Sequence, residues 1–380
     1  MKHLRYMIGI LALLLILPGR AQAAQVKSAV LMELTTGQVL QEQNAHEKLA
    51  PASVTKVMTM LLTMEAIDSG KIRWEDPVTA SETAASKGGS QIYLKPGETM
   101  QVSDMLKAVA VSSANDCACA LAEHLCGSEE AFVEQMNKRA AELHMEDTHF
   151  VNCTGLDDGE NAREHRTSAY DIALMSRELL LHHEEIKKFT TIWMDTLRNG
   201  SFGLSNTNRL VRYYKGTTGL KTGFTRGAGF CLSASARRED MELIAVVMGA
   251  ESSKLRFRTC KSMLDYGFAN YALAAAELPE QPYVPVELGR EVRVPVMLSE
   301  SGGLLVEKSQ KNSLKKQISL EESVQAPVKK GQPLGVLTLK AGDQILRQIP
   351  LVAAGDVEAL TFGDLFLMVL GRAAMAKGRI

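Results

Sequence analysis

Apolar positions along this chain recur with two periods, and the change of period divides it. Near the start, Ala29 to Leu34 is an apolar, β-rich run. The turn residues Thr35-Thr36-Gly37 and a second short run, Gln38 to Gln41, follow it, so the segment reads as a hairpin. Lys48 to Ser53 carries the Pro and Ser of a helix start, after which Val54, Val57, Met58, Leu61, Leu62 and Met64 recur at helical spacing. The helical period continues over Val102 to Leu125, Glu129 to Leu143 and Ser168 to His182. From Gly216 to Gly249 it gives way to β segments at Gly219 to Thr222, Phe230 to Ala236 and Leu243 to Met248, with Arg237 to Asp240 as a tight polar turn before the last. A further helix is expected over Lys254 to Ala274. Strands at both ends and helices between them predict an α+β domain over residues 24–278, an antiparallel sheet with helices on its faces.

Leu278-Pro279-Glu280-Gln281-Pro282 reads as a linker. Beyond it lie short Val-rich runs punctuated by Gly and Pro: Val284 to Leu288, Glu291 to Leu298, Gly303 to Val306, Ile318 to Leu320, Leu334 to Leu339 and Ile345 to Pro350. Their spacing predicts a small all-β sandwich over residues 283–357, with Lys308, Lys311, Lys315 and Lys316 in a solvated loop. In residues 358–380, Phe362, Leu365, Phe366, Val369 and Ala373 recur at helical spacing and Arg372, Lys377 and Arg379 cluster at the end. That is the pattern of an amphipathic helix lying in a membrane surface, its apolar run too short to span. At the other terminus, Lys2 and Arg5, an apolar run from Met7 to Leu17, Pro18 and the small-residue site Ala21-Gln22-Ala23 read as a secretory signal over residues 1–23.

Composition changes this picture little. The 380 residues carry 43 Lys plus Arg against 44 Asp plus Glu, a net charge of -1 with 46% hydrophobic residues. That balance excludes a disordered chain and gives no basic excess for nucleic acid. Removal of residues 1–23 takes away Lys2, Arg5 and Arg20 and no acid, so the exported chain stands at -4. Six cysteines allow fifteen pairings; in a chain of this length buried free thiols are the expectation. Neither the cysteines nor the eight histidines show the short repeated spacing of a zinc site, so no metal and no other cofactor is expected.

Three short motifs carry chemistry. Ser53-Val54-Thr55-Lys56 sets a hydroxyl and an amine three residues apart, on one face of a helix. A serine hydroxyl becomes a nucleophile when a base takes its proton, and a lysine serves once burial and neighbouring positive charge bring its pKa towards neutrality. Taken alone, Ser53 could cap the helix and Lys56 could be solvated. A second Ser-x-x-Lys, Ser313 to Lys316, shows how weak the spacing is by itself. Ser113-Ala114-Asn115 and the glycine-flanked Lys221-Thr222-Gly223 complete an ordered set: serine-lysine helix, serine-asparagine loop, Lys-Thr-Gly strand.

With that set, the chain resembles the low-molecular-mass penicillin-binding proteins, the D-alanyl-D-alanine carboxypeptidases of the bacterial cell wall. Pro51 to Lys56, Gly88-Gly89-Ser90-Gln91, Phe150-Val151-Asn152 with Gly155-Leu156-Asp157, and Gly219 to Gly223 followed by Ala228-Gly229 are similar to blocks of that family. Phe224-Thr225 stands where some relatives carry His-Thr. The resemblance implies that Ser53 forms an acyl-enzyme with the penultimate D-Ala of a peptidoglycan stem peptide, with Lys56 as its base. It further implies that Ser113, with Lys221, relays the proton to the leaving amine, while Asn115 binds the substrate amide and orients Lys56. Backbone N–H groups of Ser53 and Phe224 would form the oxyanion hole. Lys221, Thr222 and Gly223, with Arg256 or Arg198, would face the terminal carboxylate. β-Lactams would be covalent inhibitors, and the enzyme would work on the outer face of the cytoplasmic membrane. Three rival readings are a β-lactamase, an endopeptidase and a non-catalytic wall-binding protein. The Glu-x-x-Leu-Asn device of class A β-lactamases is missing, since the sequence contains no Leu-Asn dipeptide.

Overall fold

The computed structural model describes residues 25–367 apart from 158–160, 276, 279, 300–302 and 312. The signal segment and Val369, Arg372, Ala373, Lys377 and Arg379 of the terminal helix lie outside the described residues. A five-stranded sheet organises the first unit, in the order Val39–Gln43, Ser28–Glu33, Met241–Ala250, Gly229–Arg238 and Thr217–Thr225. All neighbours are antiparallel. The two ends of the unit thus meet in one sheet, as the pattern predicts.

Met241–Ala250 is buried along its whole length because both faces of the sheet are covered. Ile244, Val246 and Met248 enter one core, and Leu243, Ala245 and Val247 enter the other. On the first face the helix Lys56–Asp68 lies at the centre, with nine of its residues buried, among Val102–Ser112, Asn115–Cys126 and Ala169–His182. On the second face lies the helix Ser253–Asn270. Ser128, Ser168 and Ser252 start three of the helices by accepting the N–H of Ala131, Asp171 and Leu255.

Three local expectations are corrected. The helical stretch Val102 to Leu125 is two helices, because Ser113 adopts a left-handed conformation (φ 67°) that ends the first. The helix expected to reach Ala274 stops at Asn270; Tyr271–Ala275 is a strand paired antiparallel with Gly303–Glu307, an apolar run that finds a ladder partner. The basic stretch is no loop: Lys308–Lys311 forms a helical turn, while Lys315 and Lys316 lie exposed on the strand Leu314–Leu320.

The second unit is mainly β. Its six-stranded sheet runs Leu314–Leu320, Pro333–Ala341, Gln344–Ala353, Arg293–Leu298, Tyr283–Glu287 and Val324–Gln325, around a core that includes Val284, Val296, Leu337, Leu351 and Val357. Residues 362–367 are helical, with Phe362, Phe366 and Leu367 exposed. No helix among the described residues is long and apolar enough to cross a membrane.

Candidate active site

Ser53 sits in the 3-10 turn Ala52–Thr55, which leads directly into the helix Lys56–Asp68. It caps nothing: the turn follows Pro51, and its cap position makes no side-chain hydrogen bond. Ala52 is held at φ 49°, a left-handed conformation uncommon outside glycine, immediately before the serine. Lys56 is fully buried, and its Nζ donates to Ser53 Oγ (3.0 Å) and to the Thr154 carbonyl (2.8 Å). Burial pulls its pKa down to about 7, against smaller opposing effects of Cys153 and Asp116.

The Lys-Thr-Gly strand, Thr217–Thr225, is the edge strand of the sheet beside this turn. Lys221 is buried rather than decorating the edge, and its Nζ donates to the Thr222 carbonyl (2.9 Å). Its pKa also falls, through burial first and then repulsion from Lys56 and Arg256. The repulsion acts on Lys221, whereas burial alone is what lowers Lys56 towards its neutral form. Thr222 Oγ1 donates to Thr207 Oγ1 (2.7 Å). A Cβ on Gly223 would lie 2.7 Å from the Pro51 carbonyl oxygen, so only glycine lets the strand come this close to the serine turn. Phe224 is exposed at the strand's outer end, stacked on Phe230 at 4.3 Å.

Ser113 is buried in its left-handed turn at the end of the helix Val102–Ser112. Asn115 opens the next helix. Its Nδ2 donates to the Gly88 carbonyl (2.6 Å) and its N–H to that of Ser90 (2.7 Å), while its buried Oδ1 has no partner. The expected orientation of Lys56 by Asn115 is therefore corrected: the Thr154 carbonyl holds the lysine. Asp116 fixes the same loop by accepting the N–H groups of Ile92 and Leu94.

The two candidate arginines part company. Arg256 donates to the carbonyls of Gly223 (2.9 Å) and Cys231 (3.1 Å), lies over the Phe230 and Phe257 rings, and keeps a buried Nε without a partner. Burial lowers its pKa to about 10. With Thr207, Arg209 and Trp193 it lines a cleft of about 580 Å³. Arg198 instead pairs with Glu98 (2.7 Å) and donates to the Ile92 carbonyl (2.9 Å). Those bonds tie it to the loop that Asp116 fixes.

Sequence reasoning missed the floor beneath the lysine. Asn152 Oδ1 accepts the N–H groups of Thr154 and Gly155, shaping the turn that presents the Thr154 carbonyl. His165 Nδ1 accepts the Val151 N–H (3.1 Å), so its Nε2 carries the proton and donates to Thr55 Oγ1 (2.7 Å), which in turn donates to the Ala52 carbonyl (2.8 Å). Burial, helped by Arg166, His149 and Lys56, lowers His165 to about 4, consistent with that neutral form. Gly155 (φ 80°) touches the same carbonyl, and a Cβ there would lie 1.9 Å from the Ala52 oxygen. Gly155→Ala is expected to lower stability by about 2–5 kcal/mol in urea unfolding, from left-handed strain plus overpacking. A variant as stable as the parent would contradict this close approach. The sequence signal for this floor is the Phe150 to Asp157 block, which holds Asn152 and Gly155.

A serine in reach of a buried amine, beside an edge strand bearing Lys-Thr-Gly on a helix-covered antiparallel sheet, defines a serine peptidase of the penicillin-recognising class. The comparisons agree. The D-alanyl-D-alanine carboxypeptidase profile matches residues 18–252, and the penicillin-binding protein 5 C-terminal domain matches residues 280–359. The chain belongs to the D-alanyl-D-alanine carboxypeptidase family, as the sequence motifs implied. It is 45% identical over 346 residues to the D-alanyl-D-alanine carboxypeptidase DacF of Bacillus subtilis (strain 168), 90% of this chain and 88% of that one. Penicillin-binding protein 5 of Haemophilus influenzae superposes with TM-score 0.77 at 30% identity, covering 88% of this chain and 97% of that one. Penicillin-binding protein D2 of Listeria monocytogenes, solved in its ampicillin-bound form, superposes with TM-score 0.59 at 31% identity over 64% of this chain and 97% of its own.

Proposed function

We propose that this carboxypeptidase works through an acyl-enzyme on Ser53, and the observation that carries the reading is the buried Lys56 amine 3.0 Å from the Ser53 hydroxyl. Ser53 Oγ attacks the carbonyl carbon of the penultimate D-Ala while its proton passes to neutral Lys56. The peptide C–N bond then breaks, and the leaving amine takes a proton through Ser113 and Lys221. Free D-Ala departs, and water hydrolyses the Ser53 ester to restore the hydroxyl and release the shortened stem peptide. Backbone N–H groups of Ser53 and Phe224 receive the oxyanion, each worth about 3 kcal/mol. Asn115, through its unpartnered Oδ1, accepts the substrate amide N–H. Lys221, Thr222 and Gly223 receive the terminal carboxylate, with Arg256 adding its charge from behind the strand. Arg198 positions the Ile92 loop.

Because Lys56 acts when neutral and its pKa lies near 7, acylation by a fluorescent penicillin is expected to rise about tenfold per pH unit below neutrality and level off above it. A flat profile across neutrality would remove Lys56 from the role of base. The whole reading is tested with a muropeptide ending in D-Ala-D-Ala: free D-Ala is expected, and a long-lived penicillin adduct should map to Ser53. Cleavage of cross-links without D-Ala release would turn the reading to an endopeptidase. Rapid penicillin turnover without D-Ala release would turn it to a β-lactamase.

The reading extends to place and division of labour. Residues 1–23 direct export, 24–278 carry catalysis, 283–357 form a spacer, and 358–380 anchor the enzyme on the outer face of the cytoplasmic membrane, beside the wall. Exposure of Phe362 (84%) and Leu367 (68%) supports an anchor rather than a helix docked on the protein itself.

A further inference from the structure

Behind the wall that carries Thr154, three side chains from separate segments meet outside the proposed catalytic set. Cys119 comes from the helix Asn115–Cys126, Glu129 from the first turn of Glu129–Glu142, and Cys153 from the loop before Thr154. Their ligand atoms all lie within 4.8 Å of one another. Cys153 Sγ is 3.1 Å from Glu129 Oε1, and Cys119 Sγ is 3.8 Å from Glu129 Oε2. Both cysteines are free and buried, and Lys87 closes the outer side of the cluster as an ion pair with Glu129. We propose that Cys119, Cys153 and Glu129 form a binding site for a thiophilic divalent cation of the zinc type, and that filling it slows acylation of Ser53.

The geometry fits such an ion. A tetrahedral zinc centre with Zn–S of about 2.3 Å and Zn–O of about 2.0–2.2 Å sets sulfur about 3.8 Å from sulfur and about 3.5 Å from oxygen. Cys153 Sγ and Cys119 Sγ approach the two different oxygens of the Glu129 carboxylate, and with one ligand atom from each residue lying within 4.8 Å of the others, the sulfurs need to close by no more than about 1 Å to reach that geometry. The charge also fits. One divalent cation replaces two thiol protons, which leave to solvent, so the net charge of the pocket is unchanged and no lone thiolate is buried. The partly exposed Glu129–Lys87 edge provides the way in, and water completes the coordination.

Two of the ligands lie one short step from the residues of the proposed site. The Cys153 N–H donates to Glu129 Oε1 (3.1 Å), the Cys153 carbonyl accepts from Thr59 Oγ1 (2.7 Å), and the carbonyl of the following residue, Thr154, holds Lys56. Lys87 precedes Gly88, whose carbonyl holds Asn115. A metal that draws in Cys153 and Glu129 shifts the support of Lys56 directly and that of Asn115 through the Glu129–Lys87 ion pair. This effect on acylation rests on the role proposed for Lys56; metal binding itself does not.

The test uses the purified chain under reducing conditions with cadmium ion alone as probe. One cadmium per chain is expected, with an ultraviolet thiolate-to-metal band that zinc competes away. The band should be lost in Cys119→Ala and in Cys153→Ala and kept in Cys117→Ala. Saturation should slow acylation by a fluorescent penicillin about tenfold in the parent, the size of one lost hydrogen bond to an ionisable group, and leave the Cys119→Ala variant unaffected. If Cys153→Ala does not fold, Cys119→Ala with Glu129→Gln carries the comparison. Absence of the band in the folded, reduced parent, or its survival in both cysteine variants, overturns the site. Stoichiometric binding with unchanged acylation overturns the link to Ser53.

Discussion

Replacing Ser53 by alanine is expected to abolish both D-Ala release and the penicillin adduct while the protein remains folded. The substitution removes the oxygen proposed to be acylated, and a reaction that depends on a covalent ester then falls by about 10⁴-fold or more. Folding is spared because Lys56 keeps its second partner, the Thr154 carbonyl at 2.8 Å. Neighbouring Ala52 and Val54 already fill the surrounding core. Intact-mass spectrometry after penicillin treatment, an assay of free D-Ala and a circular dichroism melt check the three statements. An adduct that persists in Ser53→Ala at a rate near the parent's would move the nucleophile elsewhere, with Ser113 as the first suspect.

Replacing Lys56 by methionine is expected to separate activity from stability. Without the base, acylation should fall by about 10³-fold or more. Stability at neutral pH should rise. In the unfolded chain the amine titrates near 10.5, and in the folded protein near 7. Between those values the unfolded state binds more protons, so stability climbs as pH rises through the window; below about 7 the full cost of burying the amine applies, a few kcal/mol. Methionine removes that cost and relieves Lys221, whose pKa Lys56 depresses. It leaves the Thr154 carbonyl without a partner, which takes back about 1–3 kcal/mol. A net gain of about 1–2 kcal/mol at pH 7, shrinking towards pH 10, follows for urea unfolding. A variant less stable than the parent at pH 7 and unchanged in its pH dependence would refute the desolvation of Lys56.

Much of this was legible in the sequence because the signals are local. The spacing of Ser53 and Lys56 alone puts hydroxyl and amine on one helical face, and the texture around Lys221 alone marks a strand. The two-sided burial of Met241–Ala250 follows from an unbroken apolar run. What escaped is carried by the backbone or by distance along the chain. The support for Lys56 is a main-chain carbonyl, which any residue can supply, so Thr154 has no side-chain signature. The break at Ser113 is one left-handed residue inside a stretch whose apolar pattern continues past it. Tyr271–Ala275 is a strand because Gly303–Glu307 pairs with it, a partner no local window contains. Cys119, Glu129 and Cys153 share no short repeated spacing, because three separate segments bring them together.

The bond from Lys56 to the Thr154 carbonyl spans 98 positions of chain, and the strand that presses Gly223 against Pro51 arrives later still. No segment shorter than residues 53–223 contains the whole constellation, so the site needs these long closures to be complete. Such long closures make folding slow compared with helical hairpins. A fluorescent penicillin added during refolding therefore counts finished molecules, and the lag before labelling times the closing of the sheet.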